Sequence, residues 1–135
     1  MSEDLEEGTE LRLDFTKLDG APGSHVLPCA VQNVETTEVI LVAYVNDEAL
    51  RRSLQTRSAV FWSTSRNELW EKGATSGQTY ELVDVRVNCE QNSLLFLVRP
   101  RRGGICHTRN SKGEPRNCFY RSLDFDTLAL DNLDP

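Results

Sequence analysis

The chain has 135 residues, 39% hydrophobic and 27% charged, with a net charge of −6, which is enough for one domain with its own core. The acidic balance argues against nucleic acid as a partner, since such binding needs a basic surface. No run approaches the ~18 apolar residues that a membrane span requires.

The opening "MSEDLEEGTE" lacks the apolar stretch of a secretory signal, so a cytoplasmic protein with reduced thiols is expected. Residues 10–15, "ELRLDF", alternate and predict a short strand or edge segment, and "GAPGS" a loop. "HVLPCAVQN" reads as a strand up to Asn33, and "VETTE" as a turn. The apolar, β-branched run "VILVAYV", 39–45, predicts a buried strand. Asn46 is a suitable cap for a helix over "DEALRRSLQTR", with Asp47 and Glu48 at its positive end and Ala49, Leu50, Ser53 and Leu54 on one face. "AVFWS" predicts a strand, and residues 65–78 a loop. "YELVDVRVNC" alternates, except that Leu82 and Val83 break step, and "SLLFLVRP" is its expected antiparallel partner. The acidic end, 122–135, reads as a short helix or a tail. Strands, one helix and more strands predict an α+β fold with a small, mostly antiparallel sheet and few helices.

The segment "GGICHTRNSKGEPRNCFYR" places Cys106, His107 and Cys118 in a loop poorly suited to packing. No C-x2-4-C pair is present, so spacing alone is a weak metal signal. Cys29, mid-strand, reads as a small core residue. Incidental loop thiols at 106 and 118 are an oxidation liability, and a metal would account for them better.

These residues carry a resemblance. "LPCAVQN", "VAYVNDEALRRSLQT", "FWSTSRNELWEKGATSG", "VNCEQNSLLFLV", "GGICHT" and "NCFYR" are similar, in order and spacing, to segments of the phosphoribosyl-AMP cyclohydrolases, over roughly residues 25–121. On that reading residues 1–24 are a partly ordered N-terminal segment and 122–135 an acidic tail. The resemblance implies an interlocked homodimer that hydrolyses a purine nucleotide, opening its six-membered ring in the third step of histidine biosynthesis. It implies zinc held by Cys89 of one copy and Cys106 and Cys118 of the other, with His107 as the proton carrier. The loop "WEKGATSG" offers Lys72, Thr75, Ser76 and the backbone beside Gly77 to a phosphate or ribose, and Arg66 adds a guanidinium fork. Trp62 in its strand is expected in the core, whereas Trp70 could be core or a stacking surface for the purine.

The departures from the family pattern cluster around the site. The family shows Asp-Cys-Asp-x-Asp at the first zinc ligand, and those aspartates bind magnesium. Here the stretch is Asn88-Cys89-Glu90-Gln91-Asn92, so the magnesium positions Asn88, Glu90 and Asn92 are expected to be degenerate. Asn33 and Gln78 stand where Asp and His are usual. An insert before Cys118 brings Arg109, Lys112 and Arg116, a possible anion-binding set. Three readings follow: a phosphoribosyl-AMP cyclohydrolase with little magnesium dependence, a diverged paralogue acting on another purine-like nucleotide, or a non-catalytic dimer stapled by zinc.

Overall fold

Period-2 patterning builds one four-stranded sheet, and one short helix closes it. The computed structural model describes residues 6–16, 25–71, 79–101, 109–114 and 116–135. β1 (Leu27–Asn33) and β2 (Val39–Val45) pair antiparallel across the 34–38 turn. Asn33 shapes that turn, its Oδ1 accepting from the N–H of Glu35 at 2.9 Å. Helix α1 (Asp47–Thr56) starts as its sequence predicts, with Asn46 Oδ1 accepting from the N–H of Ala49 at 2.8 Å. The residue that follows it, Arg57, adopts φ 57 and donates its N–H back to the Ser53 carbonyl.

Ala49, Leu50 and Ser53 are buried, but Leu54 is 49% exposed, so the helix buries a narrower stripe than expected. The covering element is the short strand β3 (Val60–Ser63). It lies over the Ser53 side, while Leu54 turns to a shallow groove beside Leu82–Val85.

Two expectations are corrected. Residues 68–71, placed in a loop by their composition, form β4 (Glu68–Glu71), antiparallel to β3, with Phe61 opposite Trp70. The cross-strand aromatic contact overrides the weak propensity of a segment flanked by glutamates. The C-terminal segment is neither helix nor loose tail. β7 (Arg121–Leu123) and β8 (Leu130–Asn132) form a hairpin. Asp124 organises its turn by accepting from the N–H groups of Asp126 and Thr127 at 2.9 and 2.8 Å.

β5 (Tyr80–Val87) and β6 (Leu94–Pro100) pair antiparallel. The broken alternation at Leu82–Val83 is a bulge: Leu82 faces Val98, Asp84 faces Leu97, and Val83 is left over. β1 and β6 run parallel, giving the strand order β2-β1-β6-β5 in an α+β fold. The core is centred on Val31, Ile40, Phe61, Tyr80 and Phe96, all fully buried. No strand forms at residues 10–15; Leu13 and Phe15 instead pack on the core from an irregular segment. Among the described residues no helix is long and apolar enough to cross a membrane.

Candidate active site: a thiol turn, an inserted loop and an aromatic cleft

Cys89 lies in the turn between β5 and β6, exposed and unpaired in any disulfide. The turn is held by its neighbours' side chains. Asn88 Oδ1 accepts from the N–H groups of Asn92 and Ser93, both at 2.9 Å. Asn88 Nδ2 donates to Asn92 Oδ1 at 2.6 Å, and Asn92 Nδ2 to Glu90 Oε2 at 3.3 Å. Gln91, at φ 54 and 7% exposed, points the other way. Its Oε1 accepts from the Arg12 N–H, and its Nε2 donates to the Glu10 carbonyl at 3.0 Å. The pairing docks the N-terminal segment against the turn, leaving a cleft of about 230 Å³ lined by Glu6, Thr9, Glu10, Asn88 and Cys89.

Cys118 is also exposed and in no disulfide, but it stands elsewhere. Its backbone N–H donates to the Ile40 carbonyl at 2.8 Å, which sets it outboard of β2. β2 and β5 are the two edges of the sheet. Cys89 belongs to the turn joining β5 and β6, so at least two interstrand gaps of ~4.8 Å lie between it and β2, more than two ligands of a single metal ion can span. Among the described residues no group of three His, Cys, Asp or Glu side chains is gathered to hold a metal. Cys106 and His107 lie outside the described residues, as do Lys72, Thr75, Ser76 and Gly77. Cys29 is a core thiol, fully buried, and burial pushes its ionisation far above the ordinary range.

The outer flank of β2 carries a second feature. Val42 and Tyr44, exposed on that strand, join Trp62, Ser63, Ser65, Arg66 and Trp70 around a cleft of about 310 Å³. That is the lower end of the size of small-molecule sites. Trp62 is half-buried and lines this cleft, not the core as expected. The reason is its place on the open side of a two-stranded hairpin. Trp70 is half-buried too, its ring 5.3 Å from that of Phe61. Arg66 is exposed, its Nε 3.5 Å from Glu68 Oε1. Tyr44 was not singled out from the sequence; the run 39–45, expected to be buried, buries only Ile40, Leu41 and Val45, and Val42 and Tyr44 share the parity of its open face.

The inserted loop is folded onto the C-terminal hairpin. Asn110 Nδ2 donates to Asp134 Oδ1, Ser111 Oγ to the Pro135 carbonyl and Arg116 Nη1 to the Asp134 carbonyl, each at 3.0 Å. The Arg116 guanidinium lies 3.8 Å from the centroid of the Tyr120 ring. Arg109 Nη1 donates to the Gly113 carbonyl at 3.0 Å, within the loop. Arg109 and Arg116, two of the three basic residues read as an anion-binding set, are thus engaged locally, and reaching a phosphate would require these contacts to break.

Comparison with known proteins agrees with the motifs. The family model for phosphoribosyl-AMP cyclohydrolase matches residues 41–120. The chain is 45% identical over 108 residues to the phosphoribosyl-AMP cyclohydrolase of Methanothermobacter thermautotrophicus, covering 80% of this chain and 74% of that one. It is 41% identical over 110 residues to that of Natronomonas pharaonis (82% and 87%). It is 42% identical over 127 residues to that of Caulobacter vibrioides (93% and 84%). Matches of this identity and extent show that the chain belongs to the phosphoribosyl-AMP cyclohydrolase family of hydrolases.

Proposed function

We propose that the chain opens the six-membered purine ring of phosphoribosyl-AMP by hydrolysis, the third step of histidine biosynthesis, at zinc sites shared between two copies. The observation that carries this reading is that Cys118 is tied to β2, the edge strand whose exposed Val42 and Tyr44 wall the aromatic cleft, while Cys89 lies in the β5–β6 turn on the other side of the sheet. A site using both thiols needs a second copy to bring Cys89 to the cleft. The donor set suits zinc: Cys89 and Cys118 are surface thiols in no disulfide, to be joined by Cys106, and three thiolates would leave a fourth position for water. Bound there, zinc supplies a Lewis acid that makes water nucleophilic near neutral pH.

The chain's own residues do the rest. Trp62 and Tyr44 offer faces on which the purine stacks, and Arg66 a fork for phosphate. β4 ends at Glu71, next to the cleft-lining Trp70, and Lys72, Thr75, Ser76 and Gly77 follow it in sequence as the donors for phosphate or ribose. His107, adjacent to a thiolate ligand, carries the proton to the nitrogen released as the C–N bond breaks.

Magnesium does not suit the residues present. Glu90 is the one anion among the three positions, and the amide oxygens of Asn88 and Asn92 are turned into the turn's own hydrogen bonds. A hard divalent cation needs charged oxygens free to surround it.

The test is ring opening of phosphoribosyl-AMP, followed by ultraviolet absorbance, by protein purified with its native metal. Turnover that depends on zinc and is lost in Cys118→Ser is expected. Full zinc occupancy without turnover would move the chain to the paralogue or staple reading.

A further inference from the structure

The turn that carries Cys89 holds three carboxamides in five residues, and each has an assigned partner. Asn88 closes the loop end to end, accepting from two backbone N–H groups across it. Asn88 and Asn92 meet head to head at 2.6 Å, a separation that needs a hydrogen between the two heavy atoms. Gln91, nearly buried, fixes the turn to the N-terminal segment through Glu10 and Arg12. Two carboxylates at the 88 and 92 positions would repel at this distance unless a cation or a proton lay between them. An amide brings its own donor and carries no charge.

We propose that the Asn88–Ser93 turn is a neutral amide clasp that holds Cys89 in place without a hard divalent cation, doing by hydrogen bonding what a bridging cation does between carboxylates. Its catalytic meaning rests on Cys89 being a zinc ligand, but the clasp itself is a property of the turn and is measured without turnover. The clasp needs one donor between positions 88 and 92, and either residue can supply it. In Asn92→Asp the Asn88 amide still donates. In Asn88→Asp the Asn92 amide turns about its terminal torsion and donates instead. Only the double change removes every donor and leaves two facing anions. The effect is therefore strongly non-additive.

The experiment uses the zinc-loaded full chain and its N88D, N92D and N88D/N92D variants in buffer stripped of other divalent cations. Thermal unfolding is followed with and without 5 mM Mg²⁺, and Mn²⁺ binding by the loss of the free-ion electron paramagnetic resonance signal. Wild type and both single variants are expected to unfold within about 2 °C of one another, unmoved by Mg²⁺. The double variant is expected to fall by ~4 °C or more, to recover with Mg²⁺, and to bind Mn²⁺ at least tenfold more tightly than wild type. Wild-type protein that takes up Mn²⁺ at micromolar concentration and loses it in Glu90→Gln would overturn the proposal. So would a double variant as stable as wild type without divalent cations. A protein with this clasp but no activity on phosphoribosyl-AMP would remove the functional reading and leave the clasp standing.

Discussion

The backbone N–H of Cys118 donates to the Ile40 carbonyl at 2.8 Å, fixing the cysteine to the outer edge of β2. Cys89 lies in the β5–β6 turn on the other side of the sheet, so on the proposed reading a zinc site that uses both thiols takes them from two copies. Complementation follows from this split. Cys89→Ser and Cys118→Ser proteins should each be inactive, but mixing and reassembling them should restore activity. Random pairing makes half the dimers mixed, each with one intact site of two, so recovery approaches about a quarter of wild type. Stripping zinc should also loosen the dimer, because metal binding is then assembly free energy. Sedimentation with and without chelator measures this; a monomer retaining zinc tightly would place all three ligands in one chain.

The two tryptophans should separate stability from binding. Trp70 packs on Phe61 at 5.3 Å, and Phe61 is fully buried. Trp70→Ala should therefore cost about 2–3 kcal/mol, somewhat below the range for fully buried aromatics. Trp62 contributes a face to the cleft and less to the core. Trp62→Ala should leave stability within about 1 kcal/mol and weaken AMP binding roughly tenfold, the scale of one base–aromatic stack. Denaturant unfolding and calorimetric titration with AMP decide between the two roles; equal stability losses would erase the distinction.

Ser53 is a polar residue inside the core, fully buried. Its Oγ donates to the Ala49 carbonyl at 2.8 Å and accepts from the Val60 N–H at 2.9 Å, tying α1 to β3. Ser53→Ala leaves the Val60 N–H without a partner in a buried setting and should cost about 1–3 kcal/mol. Ser53→Thr keeps the hydroxyl, so its cost reports only the added methyl. If Ser53→Ala unfolds like wild type in urea, the hydroxyl is not the link between helix and strand.

Local signals were legible and cross-chain partners were not. Asn46, with two acids behind it, specified the helix start, and the unbroken run at 39–45 specified β2. The step at Leu82–Val83 was visible as an irregularity, and it is a bulge. What failed were segments whose structure depends on a distant partner. β4 exists because Trp70 finds Phe61, and the C-terminal hairpin turns on Asp124, whose side-chain hydrogen bonds composition does not reveal. At the site, Asn88 and Asn92 stood out as missing charges. That they bond to each other is information about geometry, as is the burial of Gln91 under a segment some eighty positions away.

The Asp124 carboxyl is held below its ordinary value of 3.8 by the N–H of Thr127 and then of Asp126. A group depressed in the folded state stabilises fully above its unfolded value, and that contribution is lost as pH falls through the lower folded one. The β7–β8 turn should therefore keep its amide protection at pH 5 and lose it as pH falls well below 3.8. Hydrogen exchange at Asp126 and Thr127, read beside a carbon-detected titration of Asp124, checks this. A titration midpoint at or above the ordinary value would remove the turn's role.

Arg116 is the residue on which sequence and structure give competing expectations. Its charge and its position before Cys118 suggest a phosphate contact. In the fold its Nη1 donates to the Asp134 carbonyl at 3.0 Å and its guanidinium lies 3.8 Å over Tyr120. Its Nε is buried with no hydrogen-bond partner. Those contacts join the insert to the hairpin beside Cys118, so losing them should loosen that junction. Arg116→Ala should cost about 1 kcal/mol, the scale of one cation–π contact and one charged hydrogen bond at a partly exposed site. It should speed exchange at Leu133, whose N–H donates to the Tyr120 carbonyl at 2.9 Å. Nucleotide affinity should change less than twofold, whereas Arg66→Ala, in the cleft, should weaken it about tenfold as one charge-assisted phosphate bond is lost. Arg116→Lys separates charge from shape: lysine keeps the positive charge but not the planar stack, so it should restore little of the junction. If Arg116→Ala instead weakens AMP binding tenfold with exchange at Leu133 unchanged, the guanidinium leaves Tyr120 for the phosphate, and the insert belongs to the substrate site.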